Sequence, residues 1–164
     1  MGTKFEYVQH FPAPATQVLA MLHDVDYVRA RCDETGSLKT SAEVTGSAAD
    51  GCTVTSTRIL PADVPAAAKS FVGDTIKVTE TQTWKPAGAD GSCSAALSVD
   101  FGGPMSFTGA IELSPDGEST TVRTSGEFKA SIPFIGGKME KVAAEQTERY
   151  LRTEQSVGTA WLSR

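Results

Sequence analysis

A curved antiparallel sheet of about seven strands, wrapped around one long C-terminal helix, is the fold that this 164-residue sequence predicts. The arrangement is of the α+β class, and three observations lead to it. Short alternating segments separated by turn-forming residues run from Leu38 to Ile132 with no long helix between them. Beyond Pro133 the hydrophobic period becomes helical and stays so nearly to the end. Ahead of the sheet segments lie one further strand and two short helices.

The first strand is expected over Lys4 to Phe11, where Phe5, Tyr7 and Phe11 fall on one face and Lys4, Glu6 and His10 on the other. Pro12-Ala13-Pro14 ends it. Ala15 to Leu22 carries Val18, Leu19 and Leu22 at helical spacing. Asp24 or Asp26 can cap a second short helix through Val25, Tyr27, Val28 and Ala30, closed by Gly36. Strands follow over Leu38 to Ser47, Cys52 to Leu60, Thr75 to Lys85, Ser92 to Phe101, Met105 to Ser114 and Thr120 to Ile132. Ala89-Asp90-Gly91 and Pro115-Asp116-Gly117 are strong hairpin signals. One connection is long, Pro61 to Asp74, and its Ala66 to Phe71 stretch can form one or two helical turns. Functional loops tend to be the long ones, so this segment is expected to be an entrance lid, with Phe71 on it. In the terminal helix Met139, Val142, Ala143, Tyr150, Val157 and Trp161 form the apolar stripe. Gly136-Gly137-Lys138 lacks the spacing of a phosphate-binding loop, so its glycines read as structural.

Composition narrows the function. Charged residues make up 21% and hydrophobic ones 40%, which suits one globular domain over residues 1–164 and argues against disorder. A net charge of −5 with no basic cluster argues against nucleic acid as a partner. The opening residues carry charges where a secretion signal would be apolar, and no run approaches the ~20 apolar residues of a membrane span. Cys32, Cys52 and Cys93 lack metal or redox spacing and fit reduced thiols, so a cytoplasmic protein without metal or cofactor is expected.

A twisted sheet has one apolar face to cover, and the terminal helix is the one element long enough to do so. This is a helix-grip arrangement. A curved sheet and a straight helix part company along their length, which leaves room for a cavity. The element order resembles the START-like superfamily, which includes birch-pollen-allergen type proteins, lipid-transfer domains and polyketide aromatases. Arg58-Ile59-Leu60-Pro61, Phe71-Val72-Gly73-Asp74-Thr75, Thr83-Trp84, Ile132 to Glu140 and Trp161-Leu162 resemble an actinobacterial family of START-like domains of unknown function. The resemblance implies the fold and a pocket, and brings no catalytic residue with it.

Strand parity nominates the side chains beneath the helix: Val54, Ser56 and Arg58; Ile76, Val78, Glu80, Gln82 and Trp84; then Leu97, Val99, Phe107, Ile111, Val122 and Phe128. Tyr7, Met139 and Tyr150 join them as wall candidates. Arg58, Glu80 and Gln82 stand out, because an unpaired charge among apolar neighbours costs several kcal/mol. An Arg58–Glu80 pair across neighbouring strands is the expected solution, with Gln82 as a neutral partner. A bulge turning either residue to solvent is the alternative. His10 and His23 have no evident partner, no GxSxG elbow is present, and no catalytic residue is assigned.

Three functions remain open at this stage. One is binding or carriage of an apolar or amphipathic small molecule, lipid-like or polycyclic. The second is a cyclase or aromatase type of enzyme, and the third an interaction module with a filled core.

Overall fold

The computed structural model describes residues 2–64 and 66–164, without the side chains of Ala68, Phe71 and Val72. The expected lid side chain of Phe71 therefore lies outside the described residues. Strand β1 spans Thr3–Phe11, and helices α1 and α2 span Ala15–Leu22 and Val25–Glu34. Strands β2 (Lys39–Ser47) and β3 (Gly51–Pro61) come next, followed by a 3₁₀ turn at Ala66–Ala68 and the single-turn helix α3 at Lys69–Val72. Strands β4 (Thr75–Trp84), β5 (Cys93–Asp100), β6 (Met105–Asp116) and β7 (Ser119–Ala130) complete the sheet, and helix α4 spans Gly136–Leu162. The predicted order and type of every element hold, and the boundaries move by a few residues.

All neighbouring strands run antiparallel, in the order β1-β7-β6-β5-β4-β3-β2. The meander brings β1 home beside β7, so the first and last strands of the sequence share a ladder. Gly109 and Gly126 face each other in the β6–β7 register, and a side chain on either would run into the opposite backbone. The absent side chains let the two strands approach where the sheet is most crowded. Asp24 caps α2 by accepting a hydrogen bond from the Asp26 amide at 2.8 Å, as one of the two expected caps.

Parity reads correctly throughout the inner face. Val54, Val78, Trp84, Leu97, Val99, Phe107, Ile111, Val122 and Phe128 are all buried. Phe107 and Phe128 lie 4.7 Å apart, with Phe5 edge-on to both. Rings that pack this way add about 0.5–1.5 kcal/mol per pair to the burial of their area.

Helix α4 departs from the predicted stripe in its second half. Met139 and Ala143 are buried as expected, but the line of contact then passes through Leu151, Glu154 and Gly158, leaving Val142, Tyr150 and Val157 half-buried beside it. A seven-residue spacing such as Ala143, Tyr150, Val157 drifts by about 20° per repeat on a straight helix, which accounts for the shift. Gly158 permits the closest approach, since a methyl group there would sit 2.5 Å from the Phe11 ring and 3.1 Å from the Tyr27 hydroxyl. At the other end the Glu140 carboxylate accepts hydrogen bonds from the Thr3 hydroxyl at 2.8 Å and the Ala130 amide at 2.9 Å. Both edges of the β1–β7 ladder are thereby tied to the helix.

Met139 is 1% exposed at the start of this contact. Met139→Asp is expected to lower the unfolding free energy by about 3 kcal/mol or more, by burying a charge without a partner. Urea denaturation followed by circular dichroism reads this directly, and an unchanged midpoint would mean that the first half of α4 does not pack as described.

Candidate functional site

Helix α4 makes its principal sheet contacts with β1 and β7 and runs over that side of the sheet. The inner faces of β3 to β6 are left standing away from it. Between them lies a cavity of about 610 Å³, within the ~300–1,000 Å³ usual for small-molecule sites. Ile76, Val78, Val99, Phe107, Ile111 and Phe128 form its apolar wall, and Met139, Val142 and Tyr150 face them from α4. Arg58, Glu80, Gln82 and Trp84 line it as well. Tyr7 does not. It shares its face with Gln9, but β1 packs directly on α4, and Gln9 is the residue of that strand that reaches the cavity. Pro61, Asp63 and Val64, at the start of the long connection, border the cavity, and the Gln146 amide on α4 donates to the Asp63 carbonyl at 2.6 Å.

Several of the polar groups are joined in one buried network. On β4, alternate residues stand side by side: the Trp84 indole N–H donates to Gln82 Oε1 at 2.9 Å, and Gln82 Nε2 donates to Glu80 Oε2 at 2.7 Å. Glu80 Oε2 also accepts from Arg31 Nη2 at 3.2 Å. Arg31 belongs to α2 and is 2% exposed. Its Nη1 donates to Glu154 Oε2 on α4 at 2.9 Å. Glu154 Oε1 accepts from Gln9 Nε2 at 2.8 Å, and the same Gln9 amide donates to the Leu151 carbonyl at 2.9 Å. The Tyr150 hydroxyl completes the cluster, 3.4 Å from Glu154 Oε2.

The expected Arg58–Glu80 pair is not formed. The β3–β4 register sets Arg58 opposite Val78 and Ser56 opposite Glu80, so Arg58 is only diagonal to the carboxylate, and Arg31 occupies that carboxylate from α2. Arg58 is 7% exposed, with its guanidinium carbon 4.3 Å from the centre of the Tyr150 ring. It makes no hydrogen bond or ion pair with any described residue. Parity placed Arg58, Glu80 and Gln82 on the right face. It missed Arg31, Glu154 and Gln9. A signal for Arg31 did exist, since Tyr27, Val28, Arg31 and Cys32 recur at the spacing of one helical face.

Electrostatics hold these groups in fixed states. Burial pushes the Tyr150 hydroxyl well above the usual phenol range, with Glu154 adding to the effect and Arg31 and Arg58 partly opposing it. For Arg31 burial works against the charge, but Tyr150, Glu154 and Glu80 together outweigh it and raise the pKa well above that of a free guanidinium. Both groups therefore stay protonated across the neutral range. The thiols of Cys32, Cys52 and Cys93 are buried, and burial raises all three. His10 is exposed, whereas His23 sits at the end of α1 with its ring 5.3 Å from that of Trp84.

Residues 6–162 match the model of a family described as Protein of unknown function (DUF2505). The chain belongs to this family. In an alignment 172 positions long it is 26% identical to the uncharacterized protein Rv0481c of Mycobacterium tuberculosis, covering 99% of this chain and 98% of that one. Among solved structures it resembles the Zhui aromatase/cyclase from Streptomyces sp. R1128, with a TM-score of 0.64, 16% identity and coverage of 100% and 95%. It also resembles a STAR-related lipid transfer protein from Xanthomonas axonopodis, with a TM-score of 0.63, 14% identity and coverage of 98% and 86%. At these identities the likeness shows the helix-grip, START-like fold. Within this DUF2505 chain no described helix is long and apolar enough to cross a membrane.

Arg31→Met is expected to cost about 3–5 kcal/mol, because it strands two buried carboxylates. Adding Glu80→Gln and Glu154→Gln should restore much of that loss. In double-mutant cycles Arg31 should couple to Glu154 more strongly than Arg58 couples to Glu80, and the reverse order would contradict the geometry.

A pH effect follows from His23, whose pKa burial lowers from the usual 6.5. As pH falls below 6.5 the unfolded chain takes up this proton before the folded chain does, so stability declines toward the folded-state pKa. Thermal melts between about pH 7 and about pH 5 should show a smaller drop for His23→Gln than for the parent protein.

Proposed function

We propose that the protein binds and carries a small apolar or amphipathic molecule in the cavity between the sheet and α4. The observation that carries this reading is the cavity itself: about 610 Å³ with walls of Ile, Val, Phe and Met side chains and a buried cluster of polar groups around Arg31, Arg58 and Glu80. Such a division suits a ligand with an apolar body and one polar head. An interaction module with a filled core would have side chains packed through this space. The likeness to the lipid transfer protein and to the aromatase/cyclase supports ligand binding as the general use of this fold.

The polar end favours binding over catalysis. An enzyme of the cyclase type needs a group whose pKa lies near the working pH to move protons. Tyr150 and Arg31 are both held away from neutrality, and His23 does not line the cavity. The Glu80 and Glu154 carboxylates are already engaged with Arg31.

Entry is proposed to occur past the connection between β3 and β4, which borders the cavity through Pro61, Asp63 and Val64. Among the described residues its hydrogen bond to α4 is the single one from Gln146. A bond of this kind contributes only about 0.5–1.5 kcal/mol, so the connection can part from the helix without disturbing the sheet.

Native mass spectrometry of protein purified from its host should show a bound small molecule that is lost on denaturation. Val142→Trp, on the cavity side of α4, should keep the circular dichroism of the parent and weaken binding of an apolar fluorophore such as N-phenyl-1-naphthylamine by about tenfold or more. Unaltered fluorophore binding by a folded Val142→Trp protein would place the ligand elsewhere.

A further inference from the structure

We infer that the head group received by this cavity is a carboxylate, held by the guanidinium of Arg58; the inference rests on the binding function proposed above. Two arginines are buried at the polar end, and they differ in one respect. Arg31 is engaged with Glu80 and Glu154. Arg58, equally a wall residue and 7% exposed, has no hydrogen-bond acceptor among the described residues. The Tyr150 ring beneath it offers its π face at 4.3 Å, which steadies the charge but accepts none of the guanidinium's in-plane N–H bonds.

A guanidinium without a protein acceptor turns its donors to the space of the cavity, so oxygen acceptors on a bound molecule can be met at this point. The ring occupies one face of the guanidinium and leaves its edge for a partner. A carboxylate meets that edge with two parallel N–H···O bonds and supplies the missing counter-charge in contact. An alcohol or ester can accept a hydrogen bond there but neutralises nothing, and an ammonium head would face a like charge. Arg31, Glu80, Glu154 and Arg58 together are formally neutral, yet Arg58 touches neither carboxylate. A ligand carboxylate would thus be its first direct ion pair. Val78, Val99, Ile111 and Phe128 form an apolar wall, which suits a hydrocarbon or fused-ring body. The ligand class is an amphipathic monocarboxylic acid.

The test uses the full chain stripped of bound lipid, with N-phenyl-1-naphthylamine displaced by dodecanoate, dodecanol or methyl dodecanoate. The parent protein should prefer dodecanoate over the two neutral compounds by about tenfold or more. Arg58→Met should abolish this preference by weakening dodecanoate far more than dodecanol, and Arg58→Lys should retain part of it. Equal affinity for acid and alcohol in the parent protein would overturn the inference, as would a preference that survives in Arg58→Met. Should Arg58→Met not fold, the comparison of acid with methyl ester on the parent protein decides the matter alone. If the fluorophore binds but no acid displaces it, the carboxylate assignment fails and the binding function stands. If neither fluorophore nor any native molecule occupies the cavity, both fail.

Discussion

A guanidinium held between two carboxylates in a dry interior leaves little freedom to the backbones that carry them. Arg31 comes from α2, Glu80 from β4 and Glu154 from α4, and Gln9 adds β1 through the same Glu154 carboxylate. Four elements far apart in sequence therefore meet at one cluster, with Arg31 and Glu154 separated by 123 positions. Removing Arg31 would leave two buried carboxylates uncompensated, at a cost comparable to a large part of a small domain's stability. The cluster sets where α2 lies against the helix and the sheet, more firmly than apolar contact alone, which tolerates sliding.

The same constraint helps to keep the cavity open. Helix α4 is held to the β1–β7 side by Glu140 at its start and by Glu154 and Gly158 further on. Strands β3 to β5 curve away beneath it, and Arg31 reaches from α2 to Glu80 at one end of the gap. An apolar cavity of this size is unfavourable by itself, since its wall atoms forgo packing partners. Its persistence is intelligible when the elements around it are fastened by charged and glycine contacts outside the apolar wall, so that collapse would break those first.

The fold was legible in the sequence because each of its signals is local. Alternation places Val54, Val78, Val99 and Ile111 on one face without reference to any other strand, and Pro115-Asp116-Gly117 marks a hairpin by its own chemistry. The change of period after Pro133 announces α4 in the same way. What local pattern could not supply was the rotation of α4 along its length. A stripe drawn through Tyr150 and Val157 is nearly as apolar as one through Leu151 and Gly158. The choice between them falls to Gly158, a residue with no hydrophobic side chain at all, because it alone lets the helix sink against Phe11, Met21 and Tyr27.

The site was half legible for a related reason. Parity tells which face a side chain occupies and nothing about who meets it there, so Arg58, Glu80 and Gln82 were found while their partners were not. An arginine facing inward on one strand and a glutamate facing inward on the next invite pairing, but the register offsets them by two residues and Glu80 is taken by a residue from outside the sheet. Arg31 and Glu154 both sit on helices, where a single charge within an apolar spacing reads as an edge of the stripe rather than its centre. The exchange of partners is what gives the cavity its chemistry. Had Arg58 met Glu80, the polar end would be closed upon itself. With Arg31 in that place, one buried cation is left facing the open space.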